Sequence, residues 1–190
     1  MTTDTLYISS YLIQTIMNFK GALFMERILI KTHQLTKRYG PVSVVKGLNL
    51  EVKGGEIFGF LGPNGAGKTT TIKMLTGLLD PSEGEAFICD YDISKQPTKA
   101  KALMAYVPDQ PKLYGKLSAR EFLYLISALY RVPKDVMNER AEQLLGMFGL
   151  KDRADELLEG YSHGMRQKVV LASALIYQPK VIFSISQLSD

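Results

Sequence analysis

Apolar and polar residues alternate along Arg27–Leu35 (RILIKTHQL) and again along Val42–Val52 (VSVVKGLNLEV), with Gly54 and Gly55 behind the second run. A period of two predicts half-buried strands, and together they predict a small antiparallel layer. Glu56–Gly62 (EIFGFLG) differs: it is a short continuous apolar run, the pattern of a parallel strand buried on both faces. From Lys68 to Leu79 (KTTTIKMLTGLL) the apolar spacing becomes helical, and the turn cluster DPSEG follows. Glu85–Ile93 and Ala102–Gln110 read as further strands, the second running out into a loop.

Beyond Gln110 the pattern turns helical. Ser118–Val132 (SAREFLYLISALYRV) is amphipathic and starts with a serine three residues before Glu121, a capping box. Lys134–Leu150 is a second amphipathic helix behind Pro133, and Ser162–Pro179 a third, capped by Ser162 and stopped by Pro179. The polar connector DRADELLEGYS separates the last two, and KVIF reads as a final strand. The expectation is an α/β fold with a helical subdomain inserted over about 113–160. No internal repeat or low-complexity tract interrupts it.

Composition narrows the class. The chain has 190 residues, 46% of them hydrophobic, enough for one globular domain with a sizeable core. A formal net charge of +4 tolerates anionic ligands or a membrane surface, and no basic stripe for nucleic acid is visible. The lone Cys89 excludes an internal disulfide, and a reducing cytoplasm fits best. Leu6–Phe24 is fairly apolar, but Ser9, Ser10, Gln14, Asn18 and Lys20 interrupt it, against the roughly 20 mostly apolar residues of a spanning helix. Asp4 stands where a signal peptide wants basic residues. Residues 1–24 therefore read as a weakly ordered extension, and the domain proper as 25–183.

The chemistry concentrates in GPNGAGKTT: Gly62, Pro63, Asn64, Gly65, Ala66, Gly67, Lys68, Thr69 and Thr70. This fits G-x-x-x-x-G-K-[ST], placed between a predicted strand and a predicted helix. The glycines let the backbone wrap an anion, and successive N–H groups at a helix N-terminus carry partial positive charge toward it. Lys68 has the reach for β- and γ-phosphates, and the Thr69 hydroxyl can ligate Mg²⁺.

KRYG (Lys37–Gly40) precedes that loop and YSHGMRQK (Tyr161–Lys168) follows it. With these three pieces the chain, from about Arg27 to Phe183, resembles the ATP-binding subunits of ABC transporters, and its signature resembles that of ABC-2-type exporters. The resemblance implies a P-loop NTPase with a RecA-like core, a small antiparallel β layer and a helical subdomain, C-terminally incomplete. It implies ATP and Mg²⁺ as ligands, Tyr39 stacking on adenine, and a membrane-spanning transporter subunit and a second ATP-binding subunit as partners. It further implies a peripheral location at the cytoplasmic face of the membrane and no nucleic-acid partner. Ser162, His163, Gly164, Met165, Arg166 and Gln167 occupy the signature that grips the γ-phosphate held by the partner, with His163 replacing a glycine and Met165 the usual glutamine. Asp109 stands where the family has a glutamine touching Mg²⁺ and water; it reads either as a metal contact or as a solvated loop acid. Phe122, Tyr124 and the apolar stretch Leu113–Tyr114 read as internal packing or as a face for a membrane subunit's coupling helix.

The last residues depart from the family. Ile185 stands where the Mg²⁺-binding aspartate belongs and Ser186 where the catalytic glutamate belongs, and Asp190 comes too late for either role. The D-loop and switch histidine are absent, so residues 184–190 read as a divergent tail and no catalytic residue is intact. Two readings follow: an ATP-binding subunit energising export, or a truncated module that holds nucleotide without turning it over. An ABC-like DNA-repair or chromosome ATPase would separate the loop from the signature by long coiled coils, and a translation-factor ABC protein would carry two cassettes.

Overall fold

A computed structural model describes residues 3–5, 27–108, 110 and 112–185, with only the backbone path described at 3–5. The chain divides into two compact units, one of Met1–Asp109 with Lys180–Asp190, the other of Gln110–Pro179.

The first unit holds a four-stranded antiparallel sheet. Its strands are β2 (Ile28–Tyr39), β3 (Val42–Lys53), β5 (Glu83–Ile88) and β6 (Tyr91–Asp92), in the order β3-β2-β5-β6. The predicted strands form, but strict alternation is broken by register shifts, so that Leu29 with Ile30 and Leu35 with Thr36 are buried as neighbours; both strands continue until Tyr39 pairs with Val42 across the Gly40–Pro41 turn. β5 approaches β2 so closely that a Cβ on Gly84 would lie 2.3 Å from the Gln34 carbonyl oxygen, and Gly84 has φ +79. Only glycine fits that crossing.

Helix α1 (Lys68–Leu75) lies on this layer. It is shorter than the predicted Lys68–Leu79: Gly77 turns left-handed at φ +64, and the N–H groups of Leu78 and Leu79 return to the Lys73 carbonyl. That closure satisfies orphaned carbonyls at the helix end. Leu35, Met74, Leu75 and Ile88 are completely buried together with Ile72 and Val52. Truncating one such side chain to alanine costs about 2–5 kcal/mol.

Three local readings are corrected. The expected strand Glu85–Ile93 is broken by a hairpin turn at Cys89 and Asp90, both at positive φ, between β5 and β6. The expected strand Ala102–Gln110 is shortened to strand β7 (Met104–Val107), and its start belongs to helix α2 (Pro97–Ala102), begun by a proline at its first position. The largest difference is Glu56–Gly62. Residues 56–60 form no strand; Leu61–Pro63 form the short strand β4, antiparallel to β1 (Thr3–Thr5). Ile57, Phe58 and Leu61 are exposed. A run buried on both faces needs strand neighbours and covering layers, and the described parallel pairing is β7 with β8 (Val181–Ser184), Phe183 opposite Tyr106. β1 also gives residues 3–5 of the expected weakly ordered extension a strand pairing, whereas Leu6–Phe24 lies outside the described residues.

The second unit is helical: α3 (Ala119–Leu129), α4 (Lys134–Met147) and α5 (His163–Leu175). The capping box forms, Ser118 Oγ accepting from the Glu121 N–H at 3.2 Å while the Glu121 carboxylate accepts from the Ser118 N–H at 2.8 Å. Leu123, Leu144, Leu145, Leu158 and Val169 form its buried interior. Phe122 is buried, its ring 6.4 Å from that of Tyr114, which is exposed. Arg120 pairs with both Glu142 and Asp155, tying α3 to α4 and to the following turn. Among the described residues, no helix is long and apolar enough to cross a membrane.

Candidate functional site

The glycine-rich loop leaves β4 and enters α1. Gly62, Gly65 and Gly67 have φ of +154, +86 and +84, conformations that residues with a Cβ rarely take. Gly67 is the N-cap residue of α1 and gives it no side-chain hydrogen bond, and no acidic residue stands in the first turn. The helix therefore presents its first N–H groups and positive dipole end without an internal anion.

Lys68 folds back over the loop, its Nζ donating to the Gly62 carbonyl at 2.6 Å and to the Pro63 carbonyl at 3.0 Å. Those carbonyls park the ammonium at the mouth of the loop. Pro63, Asn64, Gly65, Ala66 and Thr69 are exposed, and Thr70 is half-buried. Thr71, the next residue, is buried with its hydroxyl on the Gly67 carbonyl at 3.0 Å. Thr69 thus keeps an outward hydroxyl while Thr71 anchors the helix.

The antiparallel layer supports the loop. A Cβ on Gly67 would lie 2.8 Å from the Val44 carbonyl oxygen and 3.1 Å from Val45 Cγ2. Tyr39 ends the neighbouring strand opposite Val42, so the layer carries its ring to the loop's end of the sheet. That ring is 52% exposed, enough surface for a flat ligand to stack. Lys37 Nζ lies 5.5 Å from the ring centroid. The sequence motif contained Lys37 but gave it no role.

In the helical unit, Ser162 caps α5, its hydroxyl accepting from the Met165 N–H at 3.3 Å. Ser162, His163, Gly164 and Gln167 are exposed, and Met165 and Arg166 are half-buried. Arg166 Nη2 donates to the Glu159 carbonyl at 2.9 Å, while its buried Nε has no hydrogen-bond partner. Arg153 holds Met165 from the side, Nη1 3.4 Å from Sδ. Burial pushes the Tyr161 phenol above its usual pKa, and its hydroxyl donates to the Arg153 carbonyl at 2.5 Å. A Cβ on Gly164 would meet nothing within 4 Å; the chain's own packing does not require glycine there.

A family model described as "ABC transporter" matches residues 45–184. The chain belongs to the ABC transporter family. The probable multidrug ABC transporter ATP-binding protein YbhF of Escherichia coli is 36% identical over 155 residues, 82% of this chain and 27% of that protein. The linearmycin resistance ATP-binding protein LnrL of Bacillus subtilis is 36% identical over 81% of this chain and 50% of its own length. The bacitracin transport ATP-binding protein BcrA of Bacillus licheniformis is 36% identical over 81% and 49%. The chain thus spans about half the length of the latter two relatives and about a quarter of the first.

Among solved structures, an ATP-binding subunit of an ABC transporter superposes with TM-score 0.74 at 31% identity, covering 82% of this chain and 65% of that one. CbiO1 from Clostridium perfringens, part of the ABC transporter complex cbiONQ, superposes with TM-score 0.72 at 26% identity, covering 84% and 65%. The P-loop NTPase architecture of the ABC domain therefore holds for this chain.

Asp109 lies outside the described residues, as do Ser186 and Asp190. Ile185 is described: half-buried, it packs on the core of the first unit, and its N–H donates to the Val107 carbonyl at 3.1 Å. An apolar side chain is thus packed at the position where the sequence reading expects a carboxylate. Among the described residues, no group of three His, Cys, Asp or Glu could hold a metal ion. The available donor, the exposed Thr69 hydroxyl, fits Mg²⁺ that arrives already bound to phosphate oxygens.

Proposed function

We propose that this chain is the nucleotide-holding part of an export ABC transporter's ATP-binding subunit, at the cytoplasmic face of a membrane with a membrane-spanning partner and a second ATP-binding subunit. The carrying observation is the loop: left-handed glycines at 62, 65 and 67, an uncapped helix behind them, and a lysine folded over the mouth. The backbone N–H groups from Gly65 to Thr70 wrap the phosphates of ATP, replacing the water that otherwise satisfies them. Lys68 exchanges its two carbonyl partners for phosphate oxygens, a charge-assisted contact stronger than the neutral bonds it leaves. Thr69 holds Mg²⁺, which supplies neutralisation of phosphate charge when bound. Tyr39 stacks on the adenine.

The signature residues Ser162 to Gln167 face the γ-phosphate of ATP held by a second copy. Open space at Gly164 and the exposure of Ser162, His163 and Gly164 at the start of α5 support this reading, since an approaching phosphate needs exposed backbone N–H groups.

Binding without turnover is the second reading, and Ile185 favours it. Holding ATP requires the loop, whereas hydrolysis also requires a placed carboxylate and an oriented water. Titration with a fluorescent ATP analogue tests the site. Lys68→Ala is expected to remove most binding, and Tyr39→Ala to cost about 1 kcal/mol or more by loss of stacking. Equal affinity in wild type and Lys68→Ala would sink the proposal.

A further inference from the structure

We propose that Lys37 is the positioning residue of the base platform, fixing Tyr39 so that a nucleoside triphosphate is held at base and phosphate together. The inference rests on the reading of Tyr39 as the base contact. Lys37 and Tyr39 are two apart on β2, so their side chains leave the same face of the strand. The Lys37 ammonium lies 5.5 Å from the ring centroid and donates at 2.6 Å to the Asp80 carbonyl. A cation held over one face of the ring leaves the opposite face to a purine, and restricts the swing of an otherwise half-exposed side chain.

Asp80 belongs to the turn that leaves α1, and that turn with the first residue of β5 grips β2 at three further points. Ser82 N–H donates to the Thr36 carbonyl at 2.8 Å, Arg38 N–H donates to Ser82 Oγ at 3.0 Å, and the Arg38 guanidinium meets the Glu83 carboxylate with both terminal nitrogens. The element that begins at the phosphate loop therefore ends on the strand that carries Tyr39. Base and phosphate contacts are joined through one short closed path: loop, α1, turn, Lys37, ring. The Arg38–Glu83 pair is exposed and adds little energy by itself; its consequence is geometric.

The test compares MgATP with inorganic tripolyphosphate on the full chain, using wild type, Lys37→Met, Lys37→Arg, Tyr39→Ala and Lys68→Ala. Lys37→Met keeps the apolar stem but removes the charge and the donor. It is expected to weaken ATP about 3- to 5-fold and leave tripolyphosphate unchanged, with Lys37→Arg restoring most of the ATP affinity. Equal weakening of both ligands would overturn the proposal, because Lys37 would then act as a general positive charge near phosphate. So would unchanged ATP affinity in Lys37→Met while Tyr39→Ala still weakens it, and the base contact would stand. If neither change at Lys37 or Tyr39 alters ATP affinity while Lys68→Ala abolishes it, the base contact itself is wrong and the inference falls with it.

Discussion

Gly67 sits against Val44 at a distance that leaves no room for a side chain: a Cβ there would come 2.8 Å from the Val44 carbonyl oxygen. The atom in the way is backbone of β3, between Ser43 and Val45, which pair with Arg38 and Lys37 of β2 on either side of a register shift. Gly67 also has φ +84, which costs a residue with a Cβ roughly 1–2 kcal/mol. Gly67→Ala is therefore expected to lower stability by more than that conformational cost alone, measured by urea unfolding, and to displace the loop. Gly164→Ala is the contrast. It has open space and no left-handed φ, so its stability should stay within about 0.5 kcal/mol of wild type, while nucleotide-driven pairing of two chains is lost if Gly164 meets a partner's phosphate. Equal destabilisation by both substitutions would show that the Val44 contact does not govern the loop.

The buried carboxylate of Asp92 gives a pH prediction. Burial opposes its ionisation, but the backbone N–H groups of Lys95 and Ser94 and the Lys95 ammonium together hold its pKa below the ordinary carboxylate value. A lowered folded-state pKa contributes stability that is present above the unfolded value, about 3.9, and is lost as pH falls through the folded one. Asp92→Asn should therefore narrow its stability gap to wild type as pH is lowered from 6 toward 3. Asp92→Ala leaves the two N–H groups that Oδ1 accepts, at 2.9 and 3.0 Å, without that partner, at a cost of about 1–3 kcal/mol. A gap independent of pH would remove Asp92 from the acid limb of the stability curve.

Ile57, Phe58 and Leu61 form an exposed apolar stretch beside the loop, with the Phe58 and Phe60 rings edge to face at 5.2 Å. Exposed apolar surface of this kind favours association. The purified chain is expected to self-associate with rising concentration, and Ile57→Lys with Phe58→Ser to reduce that association, both read by sedimentation velocity. A wild-type chain that stays monomeric at high concentration would contradict the expectation.

What was legible in the sequence was local. The Ser118–Glu121 box could be read because both partners lie within one turn, and the glycine loop because each positive φ needs its own glycine. Glu56–Gly62 misled because a continuous apolar run states only that burial suits it, and strand pairing is decided by residues far along the chain. The helix Pro97–Ala102 escaped because only Ala100 is buried and no apolar stripe marks it. The Lys37 contact was invisible for a similar reason: its acceptor, Asp80, stands 43 residues away.

Turnover is the sharpest expectation. Phosphoryl transfer to water needs the phosphates pinned, the metal held and the water oriented. On the proposed reading the loop and Lys68 supply the first and Thr69 part of the second, but Ile185 is an apolar side chain packed on the core, and Ser186 is not an anion at neutral pH. Loss of a general base alone costs about 10²- to 10⁴-fold, and loss of a metal ligand acts on the same step without simple additivity. On the proposed reading, pairing with a second copy would not supply that acid, since such a copy would bring Ser162 and Gly164 to the phosphate but carry the same Ile185. Phosphate release from the purified chain with MgATP should therefore match the Lys68→Ala background. Turnover near 1 s⁻¹, an ordinary rate for a modest enzyme, that disappears in Lys68→Ala would overturn this. It would direct the search for a substitute acid to Asp109 and Asp190, with Asp109→Asn and Asp190→Asn telling the two apart.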